Sequence, residues 1–442
     1  MSESAEPDTS MRALLRQGDF VRFWFCRWTA VLAVQITSIA LGWQIYEIAR
    51  RTMDVKPAAL VYGMIGLIAF VPVLFLALPA GEVADRHNRR TILKFTYSAE
   101  ILIVGILAAA AFFHFATVPF LLGAAALFGA TRAFFAPANT ALGPMLVPRE
   151  LLPRAIAWQS LAWQTAAIFG PALGGALVAI SPGVAYSVAL GLYVIAFVLV
   201  VLIRSNAQPV VQPGSRWALM KEGLAYVWNN KIVFGAISLD LFAVLLGGAV
   251  LLLPIFAKDV LHVGALGFGM LRAAPALGAS AVAIWLGFNP IRKHAGVIMF
   301  SAVGLFGVGT VAFGGVGYMA THDIADAAVL QAFDNVAAAP AIFYTALCLA
   351  CLTFLGGADM ISVYVRQTLV QLATPDHMRG RVATVSSLFI GASNELGEFE
   401  TGIVTRFLGP VGAALFGGVG AIAVTAIWAK LFPDLRKADR LA

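Results

Sequence analysis

The sequence predicts an all-α integral membrane protein of 12 transmembrane helices in two pseudo-symmetric six-helix bundles. Three observations carry that expectation. The 442 residues are 60% hydrophobic and only 12% charged, with a mean hydropathy of +0.86, whereas a soluble chain carries about 25% charged residues. Twelve apolar stretches follow one another along the chain, and basic residues gather in every second connection between them.

A hydrocarbon core about 30 Å thick takes about 20 helical residues to cross. The expected spans of the first half are residues 20–49, 57–81, 91–113, 118–147, 154–180 and 184–204. Those of the second half are 232–257, 264–287, 296–318, 341–371, 380–405 and 410–431. The runs are too long and too uniformly apolar for barrel strands, which alternate their two faces. Domain organisation follows: a tail over 1–18, a first bundle over 19–204, a linker over 205–231, a second bundle over 232–432 and a tail over 433–442. The polar residues 1–18 form neither a signal peptide nor a transit peptide, so the first span serves as an uncleaved insertion signal.

Orientation comes from the basic residues. With the N-terminus inside, cytoplasmic segments hold 21 of the 30 Lys and Arg, and outside segments hold 5: Arg50, Arg51, Lys56, Lys258 and Arg406. That split satisfies the positive-inside rule and places both termini in the cytoplasm. The net charge of +7 then answers anionic lipid headgroups. No nucleic-acid motif accompanies it. The remaining four, Arg27, Arg132, Arg272 and Arg366, lie inside spans.

Enzyme chemistry finds no support. No H-E-x-x-H, G-x-S-x-G or G-x-x-x-x-G-K-[ST] occurs, so no catalytic residues, metal ligands or cofactors are expected. Cys348 and Cys351 make a C-x-x-C within an apolar span, where they read as small packing residues.

The halves repeat each other. A shift of 227 residues superposes Gly129 on Gly356, Pro148 on Pro375, Arg154 on Arg381, Gly170 on Gly397 and Gly175 on Gly402; a shift of 206 superposes Gly81 on Gly287. The difference assigns about 21 extra residues to 319–340, expected as an outside loop with Asp323, Asp326 and Asp334. A parallel six-helix repeat is a transporter design in which two bundles rock about a site at mid-membrane.

Charged residues inside spans are the candidate site. Arg132 stands midway through span 4, where an unpaired guanidinium costs at least about 2.5–3.5 kcal/mol on insertion scales. An acidic partner, a wet cavity or an anionic substrate would offset that cost. The second half holds Asp240 in span 7, Asp359 and Arg366 in span 10, and Glu395, Glu398 and Glu400 in span 11. Asp359 and Arg366 share a face two turns apart, as do Glu395 and Glu398 one turn apart. Two roles are open to these acids: static pairing with Arg272 or Arg366, or carriage of a proton, since crowded carboxylates raise one another's pKa. Glu100 in span 3 reads as structural. Polar and aromatic residues of spans 1 and 5, among them Gln35, Gln44, Tyr46, Trp158 and Gln159, suit an amphiphilic ligand, and equally serve as packing or interface residues.

Gly81-Glu82-Val83-Ala84-Asp85-Arg86-His87-Asn88-Arg89-Arg90 resembles the G-x-x-x-D-R-x-x-R-R loop of the major facilitator superfamily. The resemblance implies a cytoplasmic latch of Gly81, Asp85, Arg86 and Arg90 that holds the outward-open state. Gly170-Pro171-Ala172-Leu173-Gly174-Gly175 is similar to an element of the exporter branches, and Gly129-Ala130-Thr131-Arg132 to the span 4 arginine of their proton relay. The stretch from Gly357 to Thr368, followed by Thr374-Pro375-Asp376-His377-Met378-Arg379-Gly380-Arg381, resembles the enterobactin-exporter-like branch. These likenesses imply a monomeric, proton-coupled exporter of a siderophore- or drug-like amphiphile in the bacterial inner membrane. Uptake, or flipping of a lipid, on the same fold is the alternative.

Overall fold

A computed structural model describes residues 10–205, 208, 216–330 and 338–438. Within that range the chain is helical, with no strand among the described residues. The first half contains α1 (Gly18–Arg50), α2 (Val55–Arg86), α3 (Arg89–Phe112), α4 (Val118–Leu142), α5 (Leu152–Ile180) and α6 (Pro182–Leu202). The second half contains α7 (Lys231–Gly247), α8 (Gly264–Phe288), α9 (Ala295–Leu330) and α10 (Ala338–Ala373). A continuous run over Arg379–Leu431 holds two further helices, α11 before Gly409 and α12 after it. Gly409 has φ 76° and ψ 171°, a positive-φ backbone that L side chains rarely adopt, and Pro410 follows. Glycine tolerates that backbone and proline cannot donate across it, so the chain turns there. The twelve expected spans are present.

Local chemistry sets the ends. Asn88 caps α3 by accepting from the Arg90 amide at 3.0 Å, and Ser181 caps α6 by accepting from Val184 at 3.1 Å with Pro182 in the first turn. The Asn230 side chain accepts from both Ile232 and Val233 to start α7. The seventh span breaks at Gly248 and resumes through a 3₁₀ turn, Ala249–Leu251, a short helix and a π turn over Phe256–Val260. The Gly248 carbonyl freed by the break accepts from the Thr401 hydroxyl of α11 at 3.3 Å, so a neighbouring helix satisfies it.

Two expectations need correction. Gly81 does not end α2, which continues to Arg86; the turn falls at His87-Asn88, where the Asn88 cap starts the next helix. Residues 319–340 are not a loop where described: α9 runs on to Leu330 and α10 begins at Ala338, so the extra residues lengthen two helices. Hydrophobic, alanine-rich flanks favour helix extension over a loop. Asp334, and the side chain of Asp326, lie outside the described residues. Parts of both expected tails and of the linker also fall outside them; the described part of the linker forms a helix over Arg216–Asn229.

By packing, the chain divides into two units. One takes Met1–Ala40, Val71–Ala116 and Gly123–Pro213; the other takes Leu41–Phe70, Thr117–Leu122 and Gly214–Ala442. In the first unit α3 packs on α6. In the second, α9 packs on α12, where a Cβ on Gly307 would lie 2.7 Å from Ile422. The duplicated glycines have matching duties inside their own units. A Cβ on Gly170 of α5 would lie 2.5 Å from Gln35 Cβ of α1, and one on Gly397 of α11 would lie 3.1 Å from the Leu245 carbonyl of α7. Small residues let both helix pairs approach closely.

Candidate functional site

In the second unit, α7 and α10 bring three charged side chains together. Arg366 Nη1 donates to Asp240 Oδ2 at 2.6 Å, with both side chains buried. Asp359, two turns before Arg366 on α10, lies within electrostatic reach of both. Asp240, Asp359 and Ser362 line a cavity of about 10 Å³ with Ala243, Val244, Val303 and Phe306, room for about one water. One carboxylate thus pairs with the guanidinium and a second lies within its electrostatic reach, so the three groups together are electrically neutral when they hold one proton.

A second cluster joins the Arg50 end of α1 to the π turn after α7. Arg50 donates from Nε and Nη2 to Asp259 Oδ1 at 3.1 and 3.0 Å, while the Tyr46 hydroxyl donates to Asp259 Oδ2. Behind this clasp Trp43 stacks on Phe268 at 6.0 Å, and Lys258 lies 5.6 Å over the Trp43 ring. The π turn presents Asp259; such turns recur at functional positions. α2 closes on α11 beside it: a Cβ on Gly66 would lie 2.6 Å from the Glu395 carbonyl oxygen and 3.1 Å from Glu398 Cβ, and Gly63 meets Gly402 similarly. Glu395 and Glu398 are half-buried, and Glu398 and Arg272 lie within electrostatic reach of Tyr62.

The first unit carries the remaining expected residues. Gly81 is buried, Asp85 half-buried near the end of α2, and exposed Arg86 pairs with Glu82 one turn back at 2.6 Å. Arg90, in the first turn of α3, donates to the Val201 carbonyl of α6 at 3.2 Å. Arg132 is exposed on α4. Gly170, Pro171, Gly174 and Gly175 are buried along the face of α5 that meets α1, where a Cβ on Gly174 would lie 3.2 Å from Ile36 Cα. Glu100 is buried and accepts from Thr131 at 3.5 Å.

The structure therefore brings Asp240, Asp359 and Arg366 together, sets Glu395 and Glu398 at the α2 crossing, and leaves Arg132 with the first unit. Sequence reasoning missed Asp259 and its clasp. The available signal was an acid beside Lys258 at the end of an apolar span, facing basic Arg50 at the end of another. A larger groove of about 660 Å³ lies between the Arg216–Asn229 helix and α7, walled by Leu224, Trp228, Phe234, Leu241, Phe242 and Phe389, with Lys221 lining it.

Comparison with known proteins agrees with this architecture. The family model described as Major Facilitator Superfamily matches residues 23–398. The enterobactin exporter EntS of Salmonella typhimurium is 24% identical over 434 residues, 95% of this chain and 93% of that protein. EntS of Citrobacter koseri is 25% identical over 95% and 92%. Among solved structures, a D-xylose–proton symporter superposes with a TM-score of 0.68 at 12% identity, over 96% of this chain and 99% of that one. A bacterial homologue of the iron transporter ferroportin gives 0.64 at 16% identity, over 94% and 99%. At such identities these two likenesses concern the fold.

Proposed function

The chain belongs to the major facilitator superfamily, and from that premise we propose that this multi-pass transporter exports a small amphiphilic compound in exchange for protons. The transport class follows from the family; direction, coupling ion and substrate are our reading. The observation that carries it is the buried Asp240–Arg366 pair with a second acid, Asp359, lining the same small cavity. Protonated once, the group is neutral. Deprotonated, it holds an excess negative charge that the interior disfavours. A rocking bundle that exposes this group to each side in turn would load a proton outside and release it inside. Similarity to enterobactin exporters over 95% of the chain supports the outward direction.

The energetics suffice. A protonmotive force of about 150 mV supplies about 3.5 kcal/mol per proton, scaling from about 2.3 kcal/mol per 100 mV. That sustains a substrate gradient of a few hundredfold per proton without nucleotide.

We place both termini in the cytoplasm on the charge split described above, and take the protein as a bacterial inner-membrane monomer on its likeness to the exporter branch. In that orientation the Tyr46–Arg50–Asp259 clasp and the α2–α11 glycine crossing seal the outer side. Asp85, Arg86 and Arg90 then act at the cytoplasmic end as the latch. Arg132, Glu395 and Glu398 extend the proposed proton relay. The 660 Å³ apolar groove supports lipid as a resident partner, since it begins at the cytoplasmic end of α7 and reaches Phe242.

Purified protein in vesicles with an imposed proton gradient tests the reading. An amphiphilic dye should move against its gradient toward the side that supplies protons, and Asp359→Asn should abolish that movement while leaving downhill exchange. Accumulation in the opposite sense would establish uptake; gradient-independent movement of labelled phospholipid would establish flipping.

A further inference from the structure

A different group of polar side chains sits in the first unit, apart from the proton-coupling group. Arg27 stands nine residues into α1, about 14 Å along its axis. Its Nη1 donates to Gln159 Oε1 of α5 at 3.0 Å. Among the described residues Arg27 has no acidic partner, and its Nε is buried with no acceptor. Gln159 is 7% exposed, and its Nε2 is likewise buried without a partner. Asn139 of α4 is 7% exposed with an unmatched Oδ1. The Gln159 amide occupies the space a Cβ would take on Gly143, which opens the 3₁₀ turn directly after α4, four residues beyond Asn139. Three helices thus converge on three polar side chains with hydrogen-bonding capacity to spare.

The charge is as informative as the geometry. Arg366 faces Asp240, and Arg50 faces Asp259. Arg27, half-buried, faces a neutral amide and no carboxylate among the described residues. A guanidinium accommodates a planar anion through parallel N–H donors, and Gln159 Nε2 adds another. Rotation of the Asn139 amide would bring its NH₂ to bear as well, since its two ends are interchangeable in shape. Apolar surface adjoins the charge. Trp24, one turn before Arg27, packs on Trp158 at 5.7 Å and stacks on Trp28 at 6.5 Å.

We infer that Arg27, Gln159 and Asn139 form the recognition site for an anionic group, a carboxylate, sulfonate or phosphate, on the transported amphiphile. This deepens the function proposed above and rests on it. Cationic amphiphiles are excluded by the same guanidinium.

The test uses full-length protein in detergent and in phosphatidylcholine vesicles. The probes are anilinonaphthalene sulfonate (anionic), phenylnaphthylamine (its neutral relative) and ethidium (cationic). Wild type should bind the sulfonate and not ethidium. Arg27→Gln should weaken the sulfonate about tenfold to a hundredfold, as loss of a charged hydrogen bond does, and change phenylnaphthylamine by less than about twofold. Arg27→Lys should recover part of the loss. Gln159→Glu places a carboxylate against Arg27, so it should abolish sulfonate binding while thermal stability holds or rises. The assignment is overturned if Arg27→Gln weakens both naphthyl probes equally, if Gln159→Glu binds sulfonate like wild type, or if phosphatidylglycerol displaces the sulfonate in an Arg27-dependent way. That last result would assign the site to a lipid headgroup. Binding in detergent needs no gradient. Arg27-dependent binding without gradient-driven movement would therefore sink the antiport reading and leave this site standing.

Discussion

Replacing Asp259 by Asn removes the charge from the clasp while keeping its shape. The carboxylate takes two N–H donors from Arg50 on one oxygen and the Tyr46 hydroxyl on the other. Side-chain exposures of 24% for Arg50 and 15% for Asp259 place the pair between a surface bridge and a buried one. A fully exposed pair contributes about 0–1 kcal/mol and a charged hydrogen bond about 1.5–3 kcal/mol. An intermediate value of about 2 kcal/mol is therefore lost from the state in which the clasp is formed. The equilibrium between closed and open outer sides should shift about thirtyfold toward open. Phe268, stacked behind the clasp and 2% exposed, offers a reporter. In a background with Cys26, Cys348 and Cys351 replaced by Ala, Phe268→Cys should react with an impermeant maleimide about ten- to thirtyfold faster when Asp259→Asn is added. Asp259→Glu should fall between. A rate unchanged within about twofold, with the protein monodisperse and its melting temperature intact, would refute the clasp as an outer seal.

Three further outcomes are expected. Arg366→Met strands Asp240 in the interior and should lower stability by about 3–5 kcal/mol; a thermal melt should show it, and adding Asp240→Asn should return most of the loss. Gly66→Val places a branched side chain against the Glu395 carbonyl; it should force α2 off α11 and speed maleimide labelling at Phe268→Cys, whereas Gly123→Ala, with open space around its Cβ, should not. Gly170→Ala drives a methyl into Gln35 and should cost about 1–3 kcal/mol by overpacking, read as a lower melting temperature.

Hydropathy and charge were enough to expect twelve spans, because a bilayer imposes one length and one polarity on any helix that crosses it. The break between α11 and α12 was legible in Gly409-Pro410, since few residues accept that backbone. The same logic failed at 319–340 and at Gly81, where helix length beyond the hydrocarbon costs nothing that composition records. The repeat also carried packing information: Gly170 and Gly397, matched by a fixed shift, each seat a neighbouring helix within their own unit.

Which charges meet was another matter. Sequence spacing put Arg366 on the same face as Asp359, yet its hydrogen bond goes to Asp240, 126 residues away. Arg50 and Asp259 stand 209 residues apart, and Arg27 and Gln159 stand 132 apart. Periodicity assigns a side chain to one face of its own helix and is silent about the helix opposite. Bilayer thickness and the period of the helix thus settle what crosses and which residues share a face, from local sequence alone. The partners of each buried charge depend on how helices distant in the chain pack, and only the tertiary structure decides them.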